Sequence, residues 1–528
     1  LPGIGINRKL FIKMQYKRVC KLVSVMTKTE KDKLRNFTRK NASNATRFLK
    51  LIMNESSLSK KDVKMRLFGR ANAPEYYSVL SRAEEIIKSI LFSKDSVKSN
   101  NYPLRVEKYF DQLNAIQYHD LLQFRGLRSY ALDILEKLED DLLKIESFDL
   151  LVYVLKRQRR HLAQFGTVRE IENLDRKIAN AESLSVCMAK IDWYLARFNE
   201  MVKDSISDTE FKSNLEKYLK SDEMKFAYTQ SVHVKVYYHF FKSALYYWKK
   251  DYLSCFIELR TLRRYNSSKT LLFLKQIESV TLLNMSQCLL WLGAYTFSRS
   301  IIYSYLSIAD SPVDKFRGLS IQLKIGFISN DIALVERAFQ KLIQLVELDS
   351  VPDSSLADVA LLLKACNYLF DTDKFELPIS EPRLKSLFRN RFEGNFYYRL
   401  IEIQVSMKKE GDYKLNQSKM IENIRKAYYR ARKNGRLNKR LEIIIKVLNG
   451  LGYKSISFKD TYRLQVRNFN LLSLNIEPYA WDPSSLEFLP FEHWFKCMAE
   501  GKPYTHPPYL KEKKVVDYTK AGARVSLR

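Results

Sequence analysis

Apolar residues recur every three or four positions along most of this chain, which is the spacing of one face of an α-helix. The segment 131–145 is a clear example, with apolar residues at Leu132, Leu135, Leu138, Leu142 and Ile145. Turn-forming residues are scarce, with 15 Gly and 13 Pro in 528 residues. Folds built on tight strand turns or glycine-rich phosphate loops need more of both. The sequence therefore predicts an all-α protein and argues against β-sandwiches, barrels and large nucleotide-binding α/β enzymes.

Between residues 226 and 348 the helical pattern becomes repetitive. Each of three units contains a helix, a short polar turn and a second helix. The residues that follow the turns are Tyr252, Tyr295 and Ile332, which lie 43 and 37 residues apart. A period near 40 is typical of a helical solenoid, in which each hairpin buries its apolar face on its neighbour.

In these units the first helix carries small or aromatic residues, the turn carries DY or AY, and the second helix keeps apolar spacing. These features resemble tetratricopeptide-like repeat proteins, although the spacing is longer than the 34 residues of that family. The resemblance implies a right-handed solenoid of antiparallel helical hairpins. Residues 22–93 also resemble the opening of uncharacterised helical-repeat proteins found in Bacteroidetes, which implies no activity.

Changes in composition predict four segments. They are a basic helical N-terminal region at 1–100, the repeats at 101–413, a basic C-terminal helical hairpin at 414–470, and a strap with a flexible tail at 471–528. Residues 453–474 alternate enough to predict short strands or an irregular extended segment. Residues 477–510 are rich in Pro and aromatic residues, which predicts a partly irregular but ordered strap on the repeat surface.

The positive charge of the chain is concentrated at two places. Residues 8–70 contain 19 Lys and Arg against 4 Asp and Glu, and residues 414–467 contain 15 against 3. These two segments carry nearly all of the net charge of +31. A protein that is basic only for solubility spreads its charge, so this concentration predicts contact with a polyanion.

The first basic segment predicts helices near 28–40, 44–55, 59–69 and 74–93, with lengths that fit a helix-turn-helix domain. Capping signals stand at Thr27 with Glu30 and, in a looser form, at Ser59 with Asp62. The candidate contacts to a phosphate backbone are Lys60, Lys61 and Lys64.

The second basic segment contains KAYYRARKNGRLNKR, where Arg and Tyr together suit phosphate contact and base stacking. Its candidate residues are Arg425, Arg432, Lys433, Arg436, Lys439 and Arg440. The alternative is a solvated basic face on a capping helix. For a protein partner, the candidate groove residues are Tyr237, Tyr246 and Tyr247, and the alternative is that this aromatic stripe packs in the core.

Tests for catalytic and cofactor motifs give nothing. The segment GLGYKS at 450–455 lacks the spacing of a phosphate loop, and the histidines form no HExxH motif. His239 is interpreted as a core histidine. Glu139, Asp140 and Asp141 point in three directions on a helix and are interpreted as a solvated face. The sequence therefore predicts no catalytic residue, no cofactor and no metal.

Six scattered cysteines without a CxxC pair indicate reduced core thiols and a cytoplasmic protein. Lysines and Arg18 interrupt each apolar run near the N-terminus, so no secretory signal is predicted. Residues 279–298 carry no charge, but the polar residues and Gly293 within them predict a buried helix and a turn, not a membrane span.

Two functions remain from the sequence. The first is a non-catalytic scaffold whose solenoid binds a protein or peptide. The alternative is a nucleic-acid- or ribosome-associated protein, including a regulator with an N-terminal helix-turn-helix, that uses the basic segments 8–70 and 414–467. Salt distinguishes them, because phosphate contacts weaken steeply with salt and an aromatic groove does not.

Overall fold

A computed structural model describes residues 16, 19–20, 22–24, 26, 28–55, 59–70, 75–91, 104–204, 208–268, 274–347, 351, 353–389, 392–410, 419, 421–426, 428–429, 439–452, 457–473, 479, 481–482 and 485–507. All regular secondary structure in these residues is helical, which confirms the all-α prediction. The chain divides into two compact units. Unit 1 contains residues 1–204, 229–233 and 269–272, and unit 2 contains residues 205–228, 234–268 and 273–528. The division into four segments stays a prediction.

Unit 1 begins with four short helices whose bounds lie close to those predicted from the sequence. They are α1 (Lys28–Lys40), α2 (Asn44–Asn54), α3 (Lys60–Phe68) and α4 (Tyr76–Leu91). The predicted capping signal at Ser59 is a full capping box, because the Ser59 side chain accepts from the Asp62 amide and Asp62 accepts from the Ser59 amide. Thr27 lies outside the described residues. Helices α1, α2 and α4 pack around a core that includes Phe48, Leu80 and the fully buried ring of Tyr76.

Four longer helices complete unit 1, and each packs on the next. They are α5 (Leu104–Phe124), α6 (Arg128–Ile145), α7 (Phe148–Phe165) and α8 (Val168–Asp204). The apolar face predicted for 131–145 is the buried face of α6, where Leu135, Leu138 and Leu142 are almost fully buried.

The remaining helices carry the predicted repeats and the C-terminal region. They are α9 (Thr209–Leu219), α10 (Asp222–Gln230), α11 (Val232–Trp248), α12 (Tyr252–Ser268), α13 (Lys275–Trp291), α14 (Tyr295–Ile308), α15 (Pro312–Ile328), α16 (Ile332–Glu347), α17 (Asp353–Phe370), α18 (Glu381–Arg389), α19 (Phe392–Glu410), α20 (Lys439–Gly452), α21 (Phe458–Leu464), α22 (Val466–Ser473) and α23 (Phe491–Glu500).

One tight turn recurs between consecutive helices. A residue with positive φ follows the first helix, and the next helix begins two residues after it. The residues with positive φ in these turns are Gly126, Glu146, Lys250, Gly293 and Asn330. In each turn the residue after the one with positive φ donates its N–H to a carbonyl five residues earlier, for example Ala294 to Leu289 at 2.9 Å. This hydrogen bond defines the Schellman helix ending. The residues predicted to follow the turns, Tyr252, Tyr295 and Ile332, are the first residues of α12, α14 and α16.

In unit 2 the first helix of one repeat packs on the first helix of the next, since α13 contacts α15 and α15 contacts α17. The second helix of one repeat also packs on the first helix of the next, since α12 contacts α13 and α14 contacts α15. The close approach of α14 and α15 depends on Gly318, where a Cβ atom would lie 2.6 Å from Leu306 and 2.8 Å from the ring of Tyr305. Consecutive helix packing of this kind is consistent with a helical repeat.

Two expectations differ from the structure. The strands or extended segment predicted for 453–474 are wrong where the chain is described, because α21 and α22 are helices there. Ser457 caps α21 by accepting a hydrogen bond from the Asp460 amide at 3.1 Å, a local signal that outweighs the alternating pattern. The apolar periodicity continues through 226–250 and favours one helix there, but the structure has two, separated at Ser231 between α10 and α11.

The predicted strap is partly irregular, as expected, and contains the helix α23. Trp494 of α23 donates from Nε1 to the Tyr368 hydroxyl of α17 at 3.0 Å, so this part of the strap packs on a repeat helix. The last 18 residues lie outside the described residues.

The uncharged stretch 279–298 forms the end of α13, a turn and the start of α14. Among the helices of the described chain, none has the length and apolar character needed to cross a membrane.

Candidate partner-binding and polyanion-binding surfaces

The three predicted lysines of the first basic segment lie on the first two turns of α3. Lys61 is exposed, whereas Lys60 and Lys64 are half-buried over the rings of Tyr76 and Tyr77. The ammonium of Lys64 lies 5.3 Å from the Tyr76 ring centre and 5.8 Å from that of Tyr77. This contact holds the lysine in place and leaves its charge uncompensated, since a ring carries no net charge.

The acidic residues around α1 to α3 are mostly occupied within the bundle. Glu30 is buried, and Asp62 completes the capping box. Asp32 pairs with Arg35 at 2.9 Å, and Glu55 pairs with Arg66. The described part of the chain forms no ion pair with a set of exposed cations that we call the basic bundle surface: Arg39, Lys40, Arg47, Lys50 and Lys61. Among them, Lys61 is partly compensated, because hydrogen bonds from Ser59 and then the charges of Arg66 and Lys61 lower the pKa of Asp62. The positive charge of the surface is therefore available to an anionic ligand.

The residues of the second basic segment that were predicted to contact a polyanion are not all exposed. Arg425 is half-buried and lies 3.4 Å from Glu422, and Lys439 is exposed. Arg432, Lys433 and Arg436 lie outside the described residues. Arg440 is buried, with only 3% of its side chain exposed, so it cannot contact a polyanion and leaves the candidate set.

Arg440 instead holds two carboxylates of the strap. Its Nε and Nη2 donate to the two oxygens of Glu487 at 2.8 Å, and Nη2 also lies 2.5 Å from Glu492. Its Nη1 donates to the carbonyl of Tyr479 at 2.8 Å. Every nitrogen of the guanidinium is therefore used, and we call this group the Arg440 cluster.

The Arg440 cluster contains two acidic groups for one cation. Burial raises the pKa of Glu492 to about 7, although Arg440 opposes this change, and the neighbouring Glu487 raises it further. Glu487 also accepts the Phe491 amide at 2.8 Å. Because of its raised pKa, Glu492 holds a proton up to about pH 7.

We expect Glu492 to make the protein less stable as the pH rises from about 4.5 to about 7, because the folded state holds this proton more tightly than the unfolded chain. His506 acts in the opposite direction, since burial lowers its pKa to about 4. The useful measurement is therefore the difference in unfolding free energy between the native protein and Glu492→Gln. The native protein should lose up to about 1.4 kcal/mol per pH unit relative to the variant. Parallel pH profiles would show that the proton is elsewhere.

The predicted groove tyrosines are partly buried on α11. Tyr246 and Tyr247 pack against a small core formed by Cys255, Leu259 and Cys288. Burial raises the pKa of Tyr247 well above its usual range. Tyr237 is half-buried on the same helix. This placement agrees with the alternative in which the aromatic stripe belongs to the core.

His239 is a buried histidine with both ring nitrogens hydrogen bonded, as predicted. Its Nδ1 lies 2.5 Å from Glu258 and its Nε2 lies 3.1 Å from the Tyr228 hydroxyl. The acidic run on α6 also has separate partners, because Glu139 pairs with Lys177 at 2.6 Å and Asp141 with Lys144 at 3.3 Å. The described residues contain no group of three or more His, Cys, Asp or Glu side chains that could hold a metal.

One exposed apolar surface was not predicted. Around the turn between α5 and α6, large apolar side chains face solvent, with exposed fractions of 44–92%. We call this the hairpin-tip patch: Tyr118, Leu121, Phe124, Leu127 and Tyr130. The signal in the sequence is QFRGLRSY, where aromatic and apolar residues flank Gly126. Side chains at the end of a helical hairpin extend past the interface between its two helices, so neither helix buries them.

The charge at the hairpin-tip patch is positive. Asp120 is compensated, because Arg157 forms an ion pair with it and donates from Nη2 to Oδ2 at 3.1 Å. Burial lowers the pKa of His119, which lies beside Asp120, and the neighbouring Arg157 and His161 side chains lower it further. Arg125 and Arg128 are exposed and have no ion-pair partner in the described chain. The patch therefore combines aromatic and apolar side chains with two available arginines.

No protein-family model matches this chain, and comparisons with curated proteins and with solved structures give no match.

Proposed function

We propose that this chain is a non-catalytic helical-repeat scaffold that binds a protein partner through the hairpin-tip patch. The observation that carries the proposal is the exposure of five large apolar side chains around the turn between α5 and α6, with Phe124 92% exposed. Exposed apolar side chains that are grouped in this way mark interaction sites. Aromatic and arginine side chains are also the residues that contribute most at protein interfaces.

The proposed architecture is a right-handed solenoid of antiparallel helical hairpins. Its support is the recurring Schellman turn and the packing of α13, α15 and α17 on one another. Within unit 1, each of the helices α5 to α8 packs on the next, which fixes the turn between α5 and α6 and reduces the entropy lost when a partner binds. The partner that fits the patch is a protein segment with apolar side chains and acidic neighbours, which complement Arg125 and Arg128.

We expect Phe124→Ser with Tyr130→Ser to weaken partner binding by at least roughly tenfold, because each change removes an aromatic anchor. Neither change should affect folding, since both side chains already face water. The measurement is affinity capture from cell extract at two salt concentrations, followed by titration of each captured protein in purified form.

Phe297→Ser on α14 is the matched control, because Phe297 is also exposed, at 44%. A partner should bind the native protein and this control equally, with little dependence on salt. A captured protein that binds the Phe124 and Tyr130 variant as tightly as the native chain would place the interface elsewhere.

The second candidate function is nucleic-acid binding by the basic bundle surface. The observation that favours it is the set of exposed cations on α1, α2 and α3 that form no ion pair in the described chain, beside acidic residues that are buried, paired or used as caps. Non-specific binding to nucleic acids depends mainly on such charges. The helix-turn-helix form of this candidate stays a proposal.

We expect Arg47→Glu, Lys50→Glu and Lys61→Glu together to remove three phosphate contacts. The plot of log affinity against log salt should then lose about 2 to 3 from its slope. The measurement is fluorescence anisotropy with labelled single- and double-stranded oligonucleotides. A first indication is the 260/280 nm absorbance ratio of the protein, purified at low salt and again after a high-salt wash.

A control variant carries the same charge change at exposed positions of the longer helices of unit 1: Lys108→Glu, Lys137→Glu and Arg169→Glu. Equal losses in the two variants would show that net charge, and not the basic bundle surface, determines binding. A salt slope that neither variant changes would exclude both surfaces.

A further inference from the structure

A small pocket of unit 1 lies between α5, α6 and α7. Its polar lining consists of His119 and Gln123 from α5, Arg128 from α6, and Arg157 and His161 from α7. The two residues from α5 are four positions apart, as are the two from α7, so each pair lies on one face of its helix. The other residues that line the pocket are apolar, so its wall contains no acidic side chain.

The wall of the pocket carries positive charge that the chain compensates only in part. Arg157 is occupied by its ion pair with Asp120. Arg128 is exposed and its side chain forms neither an ion pair nor a hydrogen bond in the described chain. Burial lowers the pKa of His119, and Arg157 and His161 lower it further. Surroundings that disfavour a cation in this way favour the entry of an anion.

His119 supplies a buried nitrogen that lacks a partner. Its side chain is 4% exposed, and its Nδ1 lies 2.9 Å from Asp120 and 3.0 Å from Nη1 of Arg157. Its Nε2 forms no hydrogen bond with the described residues. Nε2 carries a proton both in the tautomer that accepts from Arg157 and in the imidazolium that donates to Asp120. A buried N–H without an acceptor is costly, and an oxyanion in the pocket would accept from it.

The size of the pocket restricts it to the end group of a ligand. Its volume is about 20 Å³, whereas one buried water needs about 10–15 Å³. A phosphate monoester can enter such a space with three free oxygens as acceptors. A phosphodiester, as in a nucleic-acid backbone, has only two free oxygens and a substituent on either side. Donors that come from three helices also suit a tetrahedral group better than a planar carboxylate.

We propose that this pocket is a subsite for a phosphoryl group, carried by a phosphorylated side chain of the protein partner. This inference rests on the proposed binding of that partner at the hairpin-tip patch. Gln123 and Arg128 adjoin the patch residues Phe124 and Leu127 in the chain, so one bound segment can cover the patch and reach the pocket. The guanidinium of Arg128 binds two phosphoryl oxygens, and Nε2 of His119 donates to the third.

The test is isothermal titration calorimetry of the full chain with phenyl phosphate, diphenyl phosphate and benzoate, which represent a monoester, a diester and a carboxylate. We expect phenyl phosphate to bind at least roughly tenfold more tightly than the other two, since only the monoester offers three free oxygens. Equal binding of benzoate would assign the pocket to carboxylates. Absence of binding at about 10 mM phenyl phosphate would also overturn the proposal.

Arg128→Gln should weaken the binding of phenyl phosphate by at least roughly tenfold, because hydrogen bonds between charged groups are lost. The Arg128 side chain is exposed, so this change should leave the fold intact. Arg125→Gln is the matched control, because Arg125 is an exposed arginine of the same turn that does not line the pocket. Equal losses in the two variants would show an effect of net charge and overturn the subsite.

Two further measurements locate the phosphoryl group and its source. Phenyl phosphate should shift the NMR signals of the His119 ring and leave those of His493 in unit 2 unchanged, and the absence of a shift at His119 would overturn the subsite. Phosphatase treatment of the captured partner should weaken its binding to the native protein by at least roughly tenfold, but not its binding to Arg128→Gln.

A partner whose affinity phosphatase does not change would overturn the assignment to a phosphorylated partner. The hairpin-tip proposal is decided separately, by the variant with Phe124→Ser and Tyr130→Ser. Since the titration with phenyl phosphate needs no partner, failure of the subsite and failure of the hairpin-tip proposal give different results.

Discussion

Glu146→Ala should destabilise the region around Ser231 by about 3–5 kcal/mol, because three donors that are buried or partly buried would lose the carboxylate that accepts from them. The Glu146 carboxylate accepts hydrogen bonds from the Ser231 hydroxyl at 2.6 Å, the Val232 amide at 2.8 Å and the His233 amide at 2.9 Å. These amides are at the start of α11, which therefore begins on a side chain from 85 residues earlier in the chain. A negative charge at this end of a helix is favourable.

Hydrogen exchange of the Val232 and His233 amides measures this effect locally. We expect their protection in Glu146→Ala to fall by roughly a hundredfold or more, since each 1.4 kcal/mol corresponds to a factor of ten. Glu136→Ala is the matched control, because Glu136 is an exposed residue of α6, the helix that ends at Glu146.

A third variant separates the hydrogen bonds from backbone strain. Glu146 has φ of 52°, which a glycine adopts without strain. Glu146→Gly should therefore be about 1 kcal/mol more stable than Glu146→Ala, and still well below the native protein. If Glu146→Gly equals the native protein, the carboxylate contributes little and the argument for capping fails.

The sequence predicted the elements of this fold because their signals are local. Periodic apolar residues gave the bounds of α1 to α4 within a few residues, and the Ser59 and Asp62 capping pair marks the start of α3. The repeat was also visible, since Tyr252, Tyr295 and Ile332 each begin a helix. Such signals depend on residues within one or two turns of each other.

Long-range partners account for what the sequence did not predict. The break at Ser231 is stabilised by Glu146, which lies 85 residues earlier in the chain. In 453–474 the alternating pattern predicts extended chain, whereas the Ser457 cap on the Asp460 amide favours the helix that forms. A row of tyrosines on a helix gives the same sequence pattern whether it lines a binding groove or packs in the core. For α11, only the packing in the structure distinguishes the two.

The proposed surfaces divide in the same way. The basic N-terminal segment was predicted from its net charge, because a cluster of lysines and arginines is visible in the sequence without knowledge of tertiary contacts. The hairpin-tip patch was not predicted, because the sequence does not distinguish exposed apolar residues from buried ones until the position of the turn at Gly126 is known. Arg440 was assigned to a surface because its neighbours in sequence are basic, and its acidic partners follow 47 and 52 residues later.

Arg440→Met should lower the unfolding free energy of unit 2 by about 3–5 kcal/mol, because it leaves the Glu487 carboxylate buried without its cation and removes the donor that Glu492 contacts. Methionine is close in length to arginine and keeps most of the packing. The Glu487 side chain is 1% exposed and has no route to water that would compensate the loss. The measurement is denaturant unfolding at neutral pH, where a change in the midpoint at constant slope reports stability.

Lys439→Met is the matched control, since Lys439 is the preceding residue of α20 and is exposed. It should leave stability unchanged within about 0.5 kcal/mol. Adding Glu487→Gln and Glu492→Gln to Arg440→Met should recover part of the loss, because neutral amides are less costly to bury than unpaired carboxylates. If the triple variant is no more stable than Arg440→Met, the ion pairs are not the source of the stabilisation. Nucleic-acid binding separates the two residues further. If Lys439→Met loses binding, the surface role belongs to Lys439. If Arg440→Met keeps binding at temperatures where it is folded, the role of Arg440 is structural.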